Sequence, residues 1–292
     1  MLFATRGANE YVPDEASAPT YWWSAVMGSF RDLPLRFLLV VAPTLGACDL
    51  AFGLERPACV STRDEDADGI PDDCDRCPGD PDEENSDRDR DGVGDVCDPE
   101  PDQTCQRRAL FDDFTRADLP DRLATEEWMF DDDAIQPLVA ANLSTLQYPV
   151  FSRSHVRASI TIDGFDDAVS VRFVEIGAVL DIASSTSFTA GFTCRLVMAG
   201  TAHSVRIVEH ASDTNLAMGA YNGDTVFERV RFSLDAAGAP LMCVVAKPNG
   251  IGMASVDPPE PRLTGLVALR VQHAAVRVHW VDIIEDVEEA CP

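Results

Sequence analysis

Positive charge is scarce in this chain. Its 292 residues include 23 Lys or Arg against 50 Asp or Glu, a formal charge of −27. Lys247 is the single lysine. So acidic a surface repels a phosphate backbone and draws cations, which excludes nucleic acid as a partner. Long apolar runs are also missing. The stretch around Phe37-Leu38-Leu39-Val40-Val41-Ala42 reaches about ten residues, half of what a membrane-spanning helix needs. There is no serine nucleophile elbow, no Gly-rich phosphate loop and no zinc-protease pattern. The five histidines (His155, His203, His210, His273 and His279) are scattered singly. His279 alternates with Val278 and Trp280 and reads as an outward strand residue.

What is present begins with an export signal. Arg31 and Arg36 precede the short apolar run, and small residues follow it. That order of charge, apolar middle and small-residue exit marks a secretory signal, ordinary or lipid-modified. Leu45-Gly46-Ala47-Cys48 resembles the bacterial lipobox, whose cysteine is lipidated and becomes the first mature residue. The resemblance implies a signal peptide over 1–47, with Met27 as a candidate true start, and a lipidated linker over 48–63. Acyl chains anchor a protein to a membrane without making it span. The expected location is the cell envelope, in the periplasm or on the cell surface.

Nine cysteines make an odd count. Lipidation of Cys48 leaves eight: Cys59, Cys74, Cys77, Cys97, Cys105, Cys194, Cys243 and Cys291. An even count in an oxidising compartment fits four disulfides, and eight cysteines permit 105 pairings.

The acidic excess is concentrated. Residues 64–102 hold 18 Asp or Glu against three Arg, a net of −15. One pattern occurs there twice, 23 residues apart. The first copy is Asp64, Asp66, Asp68, Gly69, Ile70, Asp72 and Asp75. The second is Asp87, Asp89, Asp91, Gly92, Val93, Asp95 and Asp98. Calcium takes six to eight hard oxygen ligands, and a 12-residue loop supplies them at positions 1, 3, 5, 7, 9 and 12. Glycine at position 6 makes the turn, and position 7 gives the backbone carbonyl of Ile70 or Val93. Asp75 and Asp98 stand where the usual loop carries Glu, and their shorter side chains reach less far. Pro71, Pro78, Pro81 and Pro99 exclude the flanking helices of an EF-hand. A disordered acidic linker and a zinc site at Cys74 and Cys77 are the competing readings.

The segment resembles thrombospondin type 3 repeats. Asp75-Arg76-Cys77-Pro78, Pro81-Asp82 and Gly94-Asp95-Val96-Cys97-Asp98 fall on that family's frame. Arg76, Asp82 and Asn85 depart from its usual residues. The resemblance implies two or more bound calcium ions that serve as the core over 64–104. It also implies a Cys77–Cys97 bridge, with Cys59 and Cys74 bracketing the first loop. Charge this dense, with so little to bury, predicts disorder without metal, so binding and folding are expected to be coupled.

From Cys105 onward the apolar period becomes two. Val156, Ala158, Ile160 and Ile162 alternate, as do Val230, Phe232 and Leu234, then Val276, Val278 and Trp280. Further strand-like runs cover 168–176, 192–198, 241–246 and 265–271. Asp163-Gly164, Asn222-Gly223, Ala237-Gly238 and Asn249-Gly250 read as turns. The expectation is a mainly β protein: an antiparallel sandwich or jelly roll over 105–292, preceded by irregular Asp-rich calcium repeats. Phe111-Asp112-Asp113-Phe114-Thr115-Arg116-Ala117-Asp118, with Trp128, resembles the opening of concanavalin A-like jelly rolls. Gly265–Leu269 and Val278–Asp282 resemble that fold's last two strands. The resemblance implies that the first and last strands are neighbours, which brings Cys105 and Cys291 within bridging reach. Cys194 and Cys243 are then left to pair.

Hydrolases of that fold carry an E-x-D-x-E run, and none occurs here. Asp131-Asp132-Asp133 reads as a charged turn, and Glu285, Glu288 and Glu289 as a solvated tail. The chain is expected not to be an enzyme. It reads as an envelope lipoprotein whose calcium-stiffened spacer presents a binding module, with a glycan or a surface protein as ligand. A divergent glycoside hydrolase and a purely structural calcium protein are the alternatives.

Overall fold

The computed structural model describes residues 59, 61–115, 123–124, 128–131, 133–139, 143–166, 168–169, 172–184, 187–199, 202–212, 214–223, 227–237, 240–257 and 264–287. Cys48 and the rest of the export signal lie outside the described residues. Among the described residues no helix is long and apolar enough to cross a membrane.

Among the described residues, fifteen antiparallel strands form two facing sheets. Sheet A runs β3 (Trp128–Asp131), β4 (Ala134–Pro137), β15 (Ala274–Asp286), β6 (Ser154–Phe165), β11 (Phe227–Asp235), β12 (Leu241–Lys247) and β13 (Gly250–Val256). Sheet B runs β2 (Leu123–Ala124), β5 (Leu143–Ser152), β14 (Thr264–Gln272), β7 (Arg172–Ser184), β8 (Ser187–Ala199), β9 (Ala202–Glu209) and β10 (Thr214–Asn222). β10 pairs with both β9 and β13 and joins the sheets at one edge. β5, β6 and β7 alternate between the sheets, as do β13, β14 and β15. This is jelly-roll wiring, and the protein is a mainly β antiparallel sandwich.

Inward residues of both sheets make one core. Val156, Ala158, Ile160, Val230, Phe232, Leu234 and Val278 from sheet A meet Leu146, Val174, Ile176, Leu196 and Ile207 from sheet B. Cys194 on β8 and Cys243 on β12 are bridged across the two sheets, both buried. Closing a 49-residue separation by this bridge contributes about 4 kcal/mol in the chain-entropy picture. β1 (Gln106–Asp112) pairs with β15, Gln106 facing Asp286, so the first and last long strands are neighbours. Cys105 is disulfide-bonded, and Cys291, its expected partner, lies outside the described residues.

Several sequence expectations shift by local geometry. Asp163-Gly164 is not a turn, because β6 runs through it and pairs Gly164 with Ala275. The run from residue 168 enters its strand only at Arg172. The two-residue hairpin turn before β13 is Pro248-Asn249, with Gly250 already paired to Lys247. In β15 a register slip between Val278 and Trp280 breaks the alternation. Val281 and Ile283 take the core positions, and Trp280 turns to the outer face of sheet A. Glu285 is no solvated end: it is buried in β15, where Arg107 pairs with it. Glu288 and Glu289 lie outside the described residues.

The Asp-rich segment does not stand clear of the sandwich. It lies along the outer face of sheet A. Cys77, Val93 and Cys97 form a small apolar cluster with Ile284 of β15. Gly79 sits so close to Trp280 that a Cβ there would lie 2.6 Å from its ring. Asp80 pairs with Arg157 and Arg231, and Arg157 also pairs with the fully buried Asp282. Arg108 donates to Asp282 at 2.9 Å and to the Arg76 carbonyl at 2.5 Å.

Candidate functional site

The two Asp-rich loops share most of their internal bonds and differ at position 1, where Asp64 accepts from the Gly69 N–H at 2.9 Å and Asp87 from the Arg90 N–H at 2.6 Å. Position 4 is left-handed in both, Ala67 at φ 64° and Arg90 at φ 70°. Gly69 and Gly92 at position 6 both stand at φ 98°, where any side chain is strained. The Ile70 N–H donates to Asp68 Oδ1 at 2.8 Å, and the Val93 N–H donates to Asp91 Oδ1 at 2.9 Å. Asp72 and Asp95 accept from the N–H of Glu65 and Arg88. Asp75 and Asp98 accept from the N–H of Cys77 and Glu100. The second oxygen of Asp68 accepts from the Asp82 N–H at 2.8 Å. That of Asp91 accepts from the Gln106 N–H at 3.2 Å, which ties the second loop to β1.

Asp68 and Asp91 have both oxygens bonded in this way, whereas Asp66, Asp72, Asp75, Asp89 and Asp98 each have one oxygen bonded and the other without a partner. Oxygens of Asp64, Asp66 and Asp68 lie within 4.8 Å of one another, as do those of Asp87, Asp89 and Asp91. In the first loop Asp64 Oδ1, Asp66 Oδ2, Asp72 Oδ2 and Asp75 Oδ2 are buried without any hydrogen-bond partner. In the second loop Asp89 Oδ2 and Asp98 Oδ2 are in that state. Buried unpaired carboxylate oxygens are costly and call for a cation. Burial first, then neighbouring carboxylates, raises the pKa of Asp66 to about 7. Burial and the charge of Glu65 raise Asp72 to about 6. Burial, with Asp91 and Asp89 nearby, raises Asp98 to about 6. Burial also raises Asp75 and Asp91.

The loops differ in their arginines. Arg76 Nε lies 3.1 Å from Asp87, and Arg88 lies 3.7 Å from Asp95. Among the described residues no ion pair reaches the five aspartates of the first loop. The hard-oxygen set of each loop fits calcium. Asp64, Asp66, Asp68, Asp72 and Asp75, with the Ile70 carbonyl, would hold one ion. Asp87, Asp89, Asp91, Asp95 and Asp98, with the Val93 carbonyl, would hold the other.

Cys59–Cys74 and Cys77–Cys97 are bridged, each with Cα atoms 5.6 Å apart. Cys74 and Cys77 are thereby removed as zinc ligands. Asp131 and Asp133 lie at the turn between β3 and β4. Asp80 was not legible as a functional residue. It falls between the two loop patterns, and only the fold shows that it meets Arg157 and Arg231.

No family model and no curated protein matches this chain. Solved structures share its strand arrangement at very low identity. A Bacillus subtilis protein with a galectin-like fold has TM-score 0.47 and 9% identity over 63% of this chain and 100% of that one. Winged bean acidic lectin, complexed with methyl-alpha-D-galactose, has TM-score 0.47 and 8% identity over 63% and 100%. The exoplasmic domain of VIP36, bound to Ca2+ and Man3GlcNAc, has TM-score 0.44 and 8% identity over 59% and 86%. None of these likenesses carries a functional argument, so function rests on the loops and the sheet beside them.

Proposed function

We propose that this protein is an envelope lipoprotein in which two calcium ions hold the Asp-rich segment against a β-sandwich that serves as a binding module for a glycan, not as an enzyme. The observation that carries the reading is the buried, unpartnered oxygens of Asp66 and Asp75 and of their equivalents Asp89 and Asp98, within two clusters of three aspartates. Lipidation at Cys48 is supported by the lipobox-like sequence alone. The lipid supplies the anchor, and calcium stiffens the segment that follows it in the chain.

Two experiments test the reading. Equilibrium dialysis of the mature chain should find two calcium ions, with affinities between micromolar and millimolar, about the range of extracellular calcium modules and tighter. Absence of binding at millimolar calcium would refute the metal. Cys48→Ser should release the protein from the membrane fraction; wild-type membrane association of that variant would refute the anchor.

A further inference from the structure

Beside the first loop, the outer face of sheet A holds a groove of about 800 Å³. Ser159, Thr161 and His279 lie in it, with Asp66 of the loop and with Arg229 and Arg277. Two β-bulges shape this place. β11 slips against β6 between Phe227 and Val230, and β15 slips against β6 between Val278 and Trp280. Val230 and Val278 pair with the same residue, Ile160, so the bulges flank β6 at one level. Arg229 and His279 lie within these slips, and Arg229 is held at φ 44°. An arginine there is unfavourable, and such outliers persist where the surroundings force them and often where function needs them.

Both bulges meet at one hydroxyl. The Arg229 N–H donates to Thr161 Oγ1 at 3.1 Å, and Thr161 Oγ1 lies 2.8 Å from His279 Nε2. Burial, helped by the charge of Arg229, lowers the His279 pKa to about 4, so the ring is neutral at pH 7. With the hydroxyl hydrogen directed to Nε2, the ring's own proton sits on Nδ1. His279 is only 3% exposed; its Nδ1 makes no well-formed hydrogen bond, and the Asp133 backbone is the acceptor that acts on the ring. A buried donor so poorly matched is costly, and a ligand oxygen in the groove would complete it.

The groove also mixes charge. Arg229, Arg277 and Lys247 offer donors, while Glu228 and Asp133 offer acceptors. An anion would meet the carboxylates and a cation the arginines. A neutral ligand rich in hydroxyl groups satisfies both. The first loop forms one wall, since Asp66 lines the groove and Glu65 pairs with Arg229 at 3.0 Å. No residue of the second loop lines it.

We infer that this groove is a saccharide site in which His279 Nδ1 donates to a sugar oxygen, and that it is complete only when the first loop holds its cation. The inference rests on the calcium and binding-module reading above and gives that reading an address.

The test uses the full mature chain at about 2 mM calcium, above the usual range of extracellular sites. The probes are the hexasaccharides of glucose, mannose, galactose, xylose, N-acetylglucosamine and galacturonic acid, followed by saturation-transfer NMR and calorimetry. At least one should bind. Thr161→Val and His279→Phe should each weaken it roughly tenfold, the loss of one hydrogen bond at a buried partner. Arg277→Ala, at the exposed edge, should weaken it too and serves if either buried variant misfolds. Asp75→Asn, which empties the first loop without touching the groove, should weaken binding, and Asp98→Asn in the second loop should not. A sugar that binds with calcium but ignores all three groove variants overturns the groove and leaves the binding module standing. Binding unchanged by Asp75→Asn overturns the dependence on the first loop. Failure of every probe overturns the groove and the saccharide part of the parent reading together.

Discussion

The sandwich and the Asp-rich segment bury opposite things. The sandwich interior is Val, Ile, Leu and Phe from two facing sheets, stapled by Cys194–Cys243. The segment interior is carboxylate, with Cys77, Pro78, Val93 and Cys97 as buried apolar side chains among the described residues, and Cys77, Val93 and Cys97 lean on Ile284 of the sandwich. Apolar burial drives folding from the chain alone. Buried carboxylates oppose it until a cation is bound. One region therefore carries its own stability, and the other borrows it from metal and from the sheet beneath.

The largest effect that sharpens this contrast belongs to the sandwich. Phe232 is fully buried at its centre, and Phe232→Ala should cost about 3–5 kcal/mol, whatever the calcium concentration. Scanning calorimetry should show a fall in Tm of roughly 10 °C. If saturating calcium restored the wild-type Tm, the two regions would not be separate sources of stability.

Chelation comes next and acts on the other region. It should open residues 64–98 to protease while the strand signal in circular dichroism persists. Trp280 is covered by Gly79, so its emission should also shift to the red. Loss of the strand signal on chelation would break the contrast.

Acid gives the smallest effect. Asp66, Asp72 and Asp98 have folded-state pKa values above the ordinary one, so they bind protons more readily folded than unfolded. Their contribution favours the metal-free fold below the unfolded pKa and is lost as pH rises through about 6 to 7. The metal-free segment should thus resist protease better at pH 5 than at pH 8. Calcium must displace those protons, so affinity should fall from pH 8 to pH 5.5. The first loop should lose more, because Asp66 titrates highest. Equal affinity at both pH values would contradict the burial of these carboxylates.

Much of this contrast is legible in the sequence. Loop spacing is local, so Asp64 to Asp75 and Asp87 to Asp98 announce themselves, and glycine at position 6 appears as the left-handed residue the turn requires. Strand alternation at Val156–Ile162 and Val230–Leu234 likewise shows its core face. What joins the regions is not local. Asp80 meets Arg157 and Arg231 across more than 70 residues of chain, and no periodicity announces it. The bulge at His279 leaves only a faint trace, two adjacent apolar residues, Trp280 and Val281, where alternation expects one. That slip leaves His279 on the outer face, where it is covered, and sends Trp280 to the same face under the loops.

The most direct test of the account is a calcium titration of the mature chain by calorimetry, alongside Asp75→Asn and Asp98→Asn. The account predicts two sites in the wild type and one in each variant. It predicts the tighter site in the first loop, whose aspartates make no ion pair among the described residues, and the weaker in the second, where Arg76 and Arg88 compete for Asp87 and Asp95. A wild-type chain that takes up no calcium, or that keeps two sites in both variants, would contradict it.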